Sequence, residues 1–219
     1  MERPILFNGE MVRAVLDGRK TQTRRAVKLI PQDKRTILCS FSNEKGAIFN
    51  DGRGLSVSTF VPIRCPYGQP GDRLWVREAW KVYSDNLPPR ILYPSDGSIE
   101  AVDFTGDWDF FCEQYAKSGP NRTRPSIHMW RWASRITLEI TDVRVERVQD
   151  ISARDVESEG VDVVSRLPVF PPKRETLECL LKIVAHQEIK KPWDSINAKC
   201  GYSWDSNPWV WAISFKVVK

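Results

Sequence analysis

The sequence predicts a mixed α+β domain, a small antiparallel or mixed barrel of short strands flanked by short helices. Three observations predict it. Apolar residues alternate over brief runs (Ile136, Leu138, Ile140; Trp211, Ile213, Phe215, Val217), as strands with one buried face require. Turn signals such as Asn50-Asp51-Gly52 and Pro70-Gly71-Asp72 recur between such runs. Helical spacing is confined to a few stretches, without the strand–helix alternation that builds a doubly wound sheet. With 219 residues, 41% of them hydrophobic and 28% charged, residues 1–219 read as one elaborated domain able to bury a core.

Met11, Val12, Val15 and Leu16 fall at helical spacing, and Gly18 suits a left-handed cap that ends the helix. The chain then enters Gly18-Arg19-Lys20-Thr21-Gln22-Thr23-Arg24-Arg25. Residues 36–60 read as hairpin or loop excursions, and Arg73–Tyr83 as one strand rich in β-formers. Residues 84–130 form a long insertion with a short helix near Trp108–Lys117. After Ile140 the alternation changes phase at Val143 and Val145, so a bulge near Thr141-Asp142 is expected. Ser152-Ala-Arg-Asp155 resembles a capping box whose helix Gly160 closes. Leu177, Leu180, Leu181 and Val184 mark an amphipathic helix in a further insertion at 161–192, and Trp209–Val218 is a closing strand.

The net charge of +5 is modest but segregated. Residues 117–135 hold Lys117, Arg122, Arg124, Arg131 and Arg135 with no acid, and residues 96–113 hold six acids with no base. Such segregation either builds a positive face for phosphate-bearing ligands or is solvated surface charge. Five dispersed cysteines, an odd number, point to reduced thiols in a cytosol. Two histidines without metal-ligand spacing give no reason to expect a metal or another cofactor. No run approaches membrane-spanning length and Met1-Glu-Arg-Pro4 begins no signal region, so a cytoplasmic protein with no membrane partner is expected.

Lys20 and Thr23 are the first candidates for chemistry. A threonine hydroxyl is a poor nucleophile unless a base takes its proton, and lysine serves when burial and nearby cations (Arg19, Arg24, Arg25) lower its pKa. In a regular strand, however, Lys20 shares a face with Gln22 and Arg24, while Thr23 shares the other with Thr21 and Arg25. A Lys20–Thr23 pair therefore needs a turn or bulge, and a basic surface strand is the plainer reading. Glu159, at the end of its capped helix, reads as solvated when taken alone. Glu78, between Arg77 and Trp80, reads as a buried partner for an arginine or a pocket residue. Arg73, Trp75 and Arg77, with Trp130, Arg131 and Trp132, interleave cations and rings as single-stranded nucleic-acid sites do, although core packing explains any one tryptophan equally well.

Helix–Gly18-x-Lys20-x-x-Thr23-x-Arg25 resembles the Gly-x-Lys-x-x-(acid or Thr)-x-Arg signature of ASCH domains, relatives of the PUA RNA-binding barrel. Pro70–Glu78, Ile136–Val148, Ile151–Gly160 with its Glu-Gly ending, and Trp209–Phe215 look like the same family in the same order. Pro4–Gly9, Thr21–Arg25, Trp193–Ile196 and Asn207–Trp211 are similar to ASCH-type proteins of tailed phages and prophages, which act in a bacterial cytosol. The resemblance implies a PUA-like β-barrel with a cleft between barrel and helices. It implies RNA or a modified nucleoside as ligand, gripped by Arg19, Arg24 and Arg25. One compact bacterial branch is an amidohydrolase that deacetylates N4-acetylcytidine through a lysine, a threonine and a glutamate, which align with Lys20, Thr23 and Glu159. On that reading Thr23 attacks the amide carbonyl, Lys20 takes its proton and Glu159 protonates the leaving amine. The chain is about twice a minimal domain of this kind, through insertions at 36–60, 84–130 and 161–192. A different class of function, capture of a host protein by a phage accessory protein, would use the acidic aromatic stretch Asp103–Glu113.

Overall fold

A computed structural model of the chain describes residues 1–28, 30, 36–50, 61–84, 90–101, 109, 112–113, 122–166 and 174–218. Its strands are β1 (Glu2–Leu6), β2 (Gln22–Ala26), β3 (Ile37–Ser42), β4 (Gly46–Asn50), β5 (Val61–Ile63) and β6 (Arg73–Arg77). They continue with β7 (Lys81–Ser84), β8 (Arg90–Tyr93), β9 (Ser98–Ala101), β10 (Thr137–Arg147) and β11 (Trp209–Val217). The helices are α1 (Gly9–Leu16), α2 (Ala153–Ser158) and α3 (Arg174–Asn197). The class is α+β as expected, mostly sheet. The strand orders are open, with no closed barrel among the described residues.

The chain gathers into two compact units, Met1–Gly18 with Asp72–Glu139 and Val217–Lys219, and Arg19–Gly71 with Ile140–Lys216. Two of the crossings fall inside β10 and β11. A strand carries no linker composition, which is why the sequence reads as a single domain.

In the first unit β1 runs parallel to β6 (Ile5 opposite Val76), and the start of β10 is antiparallel to β6 (Leu138 opposite Leu74). Helix α1 begins where Asn8 accepts a hydrogen bond from the Met11 N–H and buries Val12, Ala14 and Val15. It stops at Gly18, whose φ of 72° is the left-handed cap read from the sequence. The strand expected over Arg73–Tyr83 is two strands. The break falls at Glu78, whose carboxylate is buried against Arg135 (Nε–Oε1 2.9 Å), and Trp80 then bridges to Arg124. Beyond the break, β7, β8 and β9 form an antiparallel sheet over a core of Trp80, Val82, Ile91, Tyr93, Met129 and Ala133. The 84–130 insertion thus supplies sheet of its own. Of the helix expected near Trp108–Lys117, Asp109, Cys112 and Glu113 are helical, and the remainder, with most of Asp103–Glu113, lies outside the described residues.

In the second unit β11 lies between β10 and β2, with Ile213 opposite Thr23. Strands β3, β4 and β5 form a meander, as the hairpin reading of 36–60 anticipated for its described part. Gly46 closes the β3–β4 turn at φ 88°, where a Cβ would stand 2.5 Å from the Ile63 carbonyl oxygen, so only glycine fits. Burial along β10 changes phase between Ile140 and Val143 while the strand runs on unbroken. Helix α2 is capped by Ser152, whose Oγ accepts from the Asp155 N–H at 3.1 Å, and Gly160 (φ 88°) closes it.

The expected amphipathic helix is α3, 24 residues long, so the 161–192 insertion is largely one helix that carries Pro192 inside it. Its buried stripe is Ala185, Ile189 and Trp193, beyond the partly buried Leu181 and Val184. That stripe packs with Val148, Ile151, Val156 and Trp204, where each large apolar side chain contributes about 1.5–3 kcal/mol. Among the described residues no helix is long and apolar enough to cross a membrane.

Candidate functional site

Lys20 pairs with Glu159 as an isolated antiparallel bridge. The Thr21 N–H donates to the Ser158 carbonyl at 2.8 Å, and the Phe215 N–H to the Thr21 carbonyl at 2.8 Å. The basic segment is thereby held by the C-terminal end of α2 and by β11. Lys20 Nζ donates to Glu159 Oε2 at 2.5 Å and to the Glu159 carbonyl at 2.9 Å. A cation at the C-terminal end of a helix also meets that end's partial negative charge. The two side chains are 1% and 7% exposed, so this is an interior pair and neither group is a solvated surface charge.

Gln22 and Arg24 follow Lys20 onto the same face of β2, as period-two alternation requires. Arg24 Nε and Nη2 donate to Glu146 Oε1 at 2.9 and 2.6 Å, and Nη1 donates to Gln22 Oε1 at 2.6 Å. The same Nη1 reaches Glu159 Oε1 at 3.3 Å, and Asp155 Oδ2 lies 3.5 Å from Nη2. Glu159 is therefore shared by Lys20 and Arg24. β2 keeps an unbroken register with β11 from Gln22 to Ala26, which turns Thr23 to the opposite face. Thr23 is fully buried, and its Oγ1 makes no hydrogen bond among the described residues.

Burial pushes the Lys20 pKa below the ordinary lysine value. The Glu159 carboxylate works against that shift, and Arg25 and Arg24 add to it. Asp155 is held below the usual carboxylate value. Burial pushes it upward, but the Ser152 hydrogen bond and the charges of Arg24 and Arg144 outweigh that effect. A buried amine of lowered pKa beside a carboxylate can exchange a proton more readily than a solvated lysine.

No family model matches this chain. No curated protein and no solved structure matches it either.

The three arginines of the segment have separate fates. Arg19 is exposed, and its Nη1 donates to the Gly160 carbonyl at 3.0 Å. It also lines a pocket of about 260 Å³ with Glu157, Gly160, Val161 and Asp162. Arg25 is half-buried, with Nη1 donating to the Arg24 carbonyl at 3.3 Å. Arg24, expected to grip ligand, spends its guanidinium on carboxylates of its own unit. Gln22, Glu146 and Asp155 were absent from the residues the sequence nominated. Parity along the strand pointed to Gln22, whereas no local signal pairs Glu146 with an arginine 122 positions away.

The remaining candidates lie in the first unit. Glu78 receives Arg135 Nε and Nη2 at 2.9 and 3.1 Å and the Ser95 hydroxyl at 2.5 Å, so it is the buried arginine partner expected of it. Arg135 also binds Asp96 at 2.9 Å and Glu100 at 3.3 Å. Burial would raise the Asp96 pKa, but hydrogen bonds from Arg135 and Ser98 bring it down to about 2. Acids of the 96–113 run thus neutralise a base of the 117–135 run. Trp75 is buried, and the Arg77 guanidinium carbon sits 4.6 Å from its ring centre. Arg131 pairs with Glu2 at the surface (2.8 Å), and Arg73 is exposed on β6. Trp130 and Trp132 pack on Trp80 with ring centres 5.6 and 6.1 Å away. Arg77 and Trp130 also line a pocket of this unit.

Proposed function

We propose that this chain is an ASCH-type protein of PUA-like fold that binds RNA or a modified nucleoside, with the Lys20–Gln22–Arg24 face of β2 at the centre of its site. The observation that carries the reading is the 2.5 Å contact between Lys20 Nζ and Glu159 Oε2. The lysine of the Gly-x-Lys-x-x-Thr-x-Arg pattern and the glutamate of the Glu-Gly ending are 139 positions apart, and no charge or spacing rule pairs them. The family resemblance does. In this reading Arg24 fixes Glu159, while Arg19, at the pocket beside Gly160, presents a cation to the ligand backbone. Binding of fluorescent single-stranded RNA, followed between about 50 and 200 mM salt, tests it. Affinity falls with salt, and Arg19→Ala lowers the slope by about one. Failure to bind RNA, cytidine and N4-acetylcytidine alike would sink the proposal.

A second reading, amidohydrolysis of N4-acetylcytidine-like nucleosides, is favoured by the unpartnered Thr23 hydroxyl and the lowered Lys20 pKa. Thr23 Oγ1 would attack the acetyl carbonyl and Lys20 would take its proton. Glu159 would protonate the departing exocyclic amine, and water would then free acetate from Thr23. This step requires Thr23 and Lys20 to reach one carbonyl from opposite faces of β2, and the regular register of the strand opposes that. Binding is therefore the leading reading. Chromatography of N4-acetylcytidine incubated with the protein decides between them. Cytidine that forms with the native chain but not with Thr23→Ala supports the enzyme, and intact substrate removes it.

A further inference from the structure

Arg77, Arg122, Arg124, Trp80, His128 and Trp130 surround a pocket of about 600 Å³ within the first unit. That volume suits a small ligand. Three of its lining residues carry guanidiniums, and among the described residues no Asp or Glu lines it. Arg77 is held in place there, with Nη1 donating to the Ile127 carbonyl at 3.2 Å and its plane against Trp75.

Two enclosed donors belong to residues that line the pocket and make no hydrogen bond among the described residues. One is the indole N–H of Trp80, a fully buried side chain, and the other is Arg77 Nε. Buried donors in a folded protein nearly always find an acceptor, and both of these belong to side chains of a pocket rich in guanidiniums. Trp130 lines the same pocket and stays 38% exposed, which leaves indole surface available to stack on a planar group.

We propose that this pocket holds one phosphorylated nucleoside, with its phosphate against Arg77 and Arg122 and its base against Trp130. Guanidiniums match phosphate oxygens in geometry and charge, and an indole face stacks any base. A free mononucleotide and one nucleotide of an RNA strand present the same chemistry. The pocket shares no residue with the Lys20–Arg24 face, and the inference stands or falls apart from the ASCH reading.

Titration calorimetry of the full chain at low salt tests it, with cytidine 5′-monophosphate, inorganic phosphate and a short oligouridylate RNA as probes. The mononucleotide binds, and Arg122→Glu or Trp130→Ala, both at exposed side chains, weakens it about tenfold or more. Competition between mononucleotide and RNA identifies a single-nucleotide site. Binding of RNA alone, lost in the same two variants, places one nucleotide of a strand there, and either result upholds the proposal. An unchanged melting temperature shows that the variants fold, and a misfolded Trp130→Ala leaves Arg122→Glu to decide. Inorganic phosphate that binds as tightly as the mononucleotide overturns the proposal, as does affinity unchanged in both variants or no binding of either nucleotide form. Lys182→Ala, at an exposed lysine of α3, leaves the affinity unchanged; a loss equal to that of Arg122→Glu would make the binding a matter of overall charge and overturn the proposal.

Discussion

On one face of β2, Lys20 and Arg24 meet Glu146, Asp155 and Glu159, whereas Arg77, Arg122 and Arg124 surround a pocket lined by no described carboxylate. In sequence both regions carry clustered arginines among polar residues. In the fold their cations are held differently. The cations of β2 are interior groups, each next to acids of its own unit, and they position one another. The arginines of the pocket line space that a ligand can enter. What separates the classes is burial beside carboxylates, because a desolvated guanidinium is tolerated only where acids and hydrogen-bond acceptors surround it.

The strongest way to break this contrast is to remove a buried cation. Arg24→Met leaves Glu146 short of its main partner, and Arg135→Met does the same to Glu78, so each lowers stability in urea unfolding by about 3–5 kcal/mol. Arg122→Ala, at an exposed pocket residue, stays within about 0.5 kcal/mol. An Arg24→Met protein as stable as Arg122→Ala would erase the distinction.

Acid sharpens the contrast next. The folded pKa of Asp96 is about 2, below the unfolded value of about 3.9. Its contribution is thus fully present above about pH 4 and is lost as pH falls toward about 2. Asp155, also lowered, acts in the same sense. The urea midpoint therefore drops across that window, and the drop is shallower in Arg135→Met, where Asp96 has lost its main partner. A midpoint flat with pH would deny both carboxylates a role.

The smallest expected effect concerns Thr23. A buried hydroxyl without an acceptor costs about 1–3 kcal/mol, so Thr23→Val gains stability of about 1 kcal/mol. A loss would mean that the hydroxyl has a structural partner, and a gain that coincides with lost deacetylation would make the hydroxyl functional.

Local structure was readable where neighbours in sequence decide it. Gly18 stops α1 and Gly160 stops α2 because each takes a positive φ that costs other residues free energy. Ser152 caps its helix over three positions, and strict alternation sets Lys20, Gln22 and Arg24 on one face of β2 and Thr23 on the other. Those are short-range sterics and hydrogen bonds, so the sequence by itself determined them, together with the α+β class. It did not determine that the strand from Arg73 would break at Glu78, whose partner Arg135 lies 57 positions further on. Nor did it determine that Arg24 would be bound to Glu146, and Lys20 and Glu159 were brought together in the sequence only by the family resemblance. Only the tertiary structure chose those partners. A charge buried in the fold must find its opposite wherever the chain brings one, and sequence distance carries no information about that.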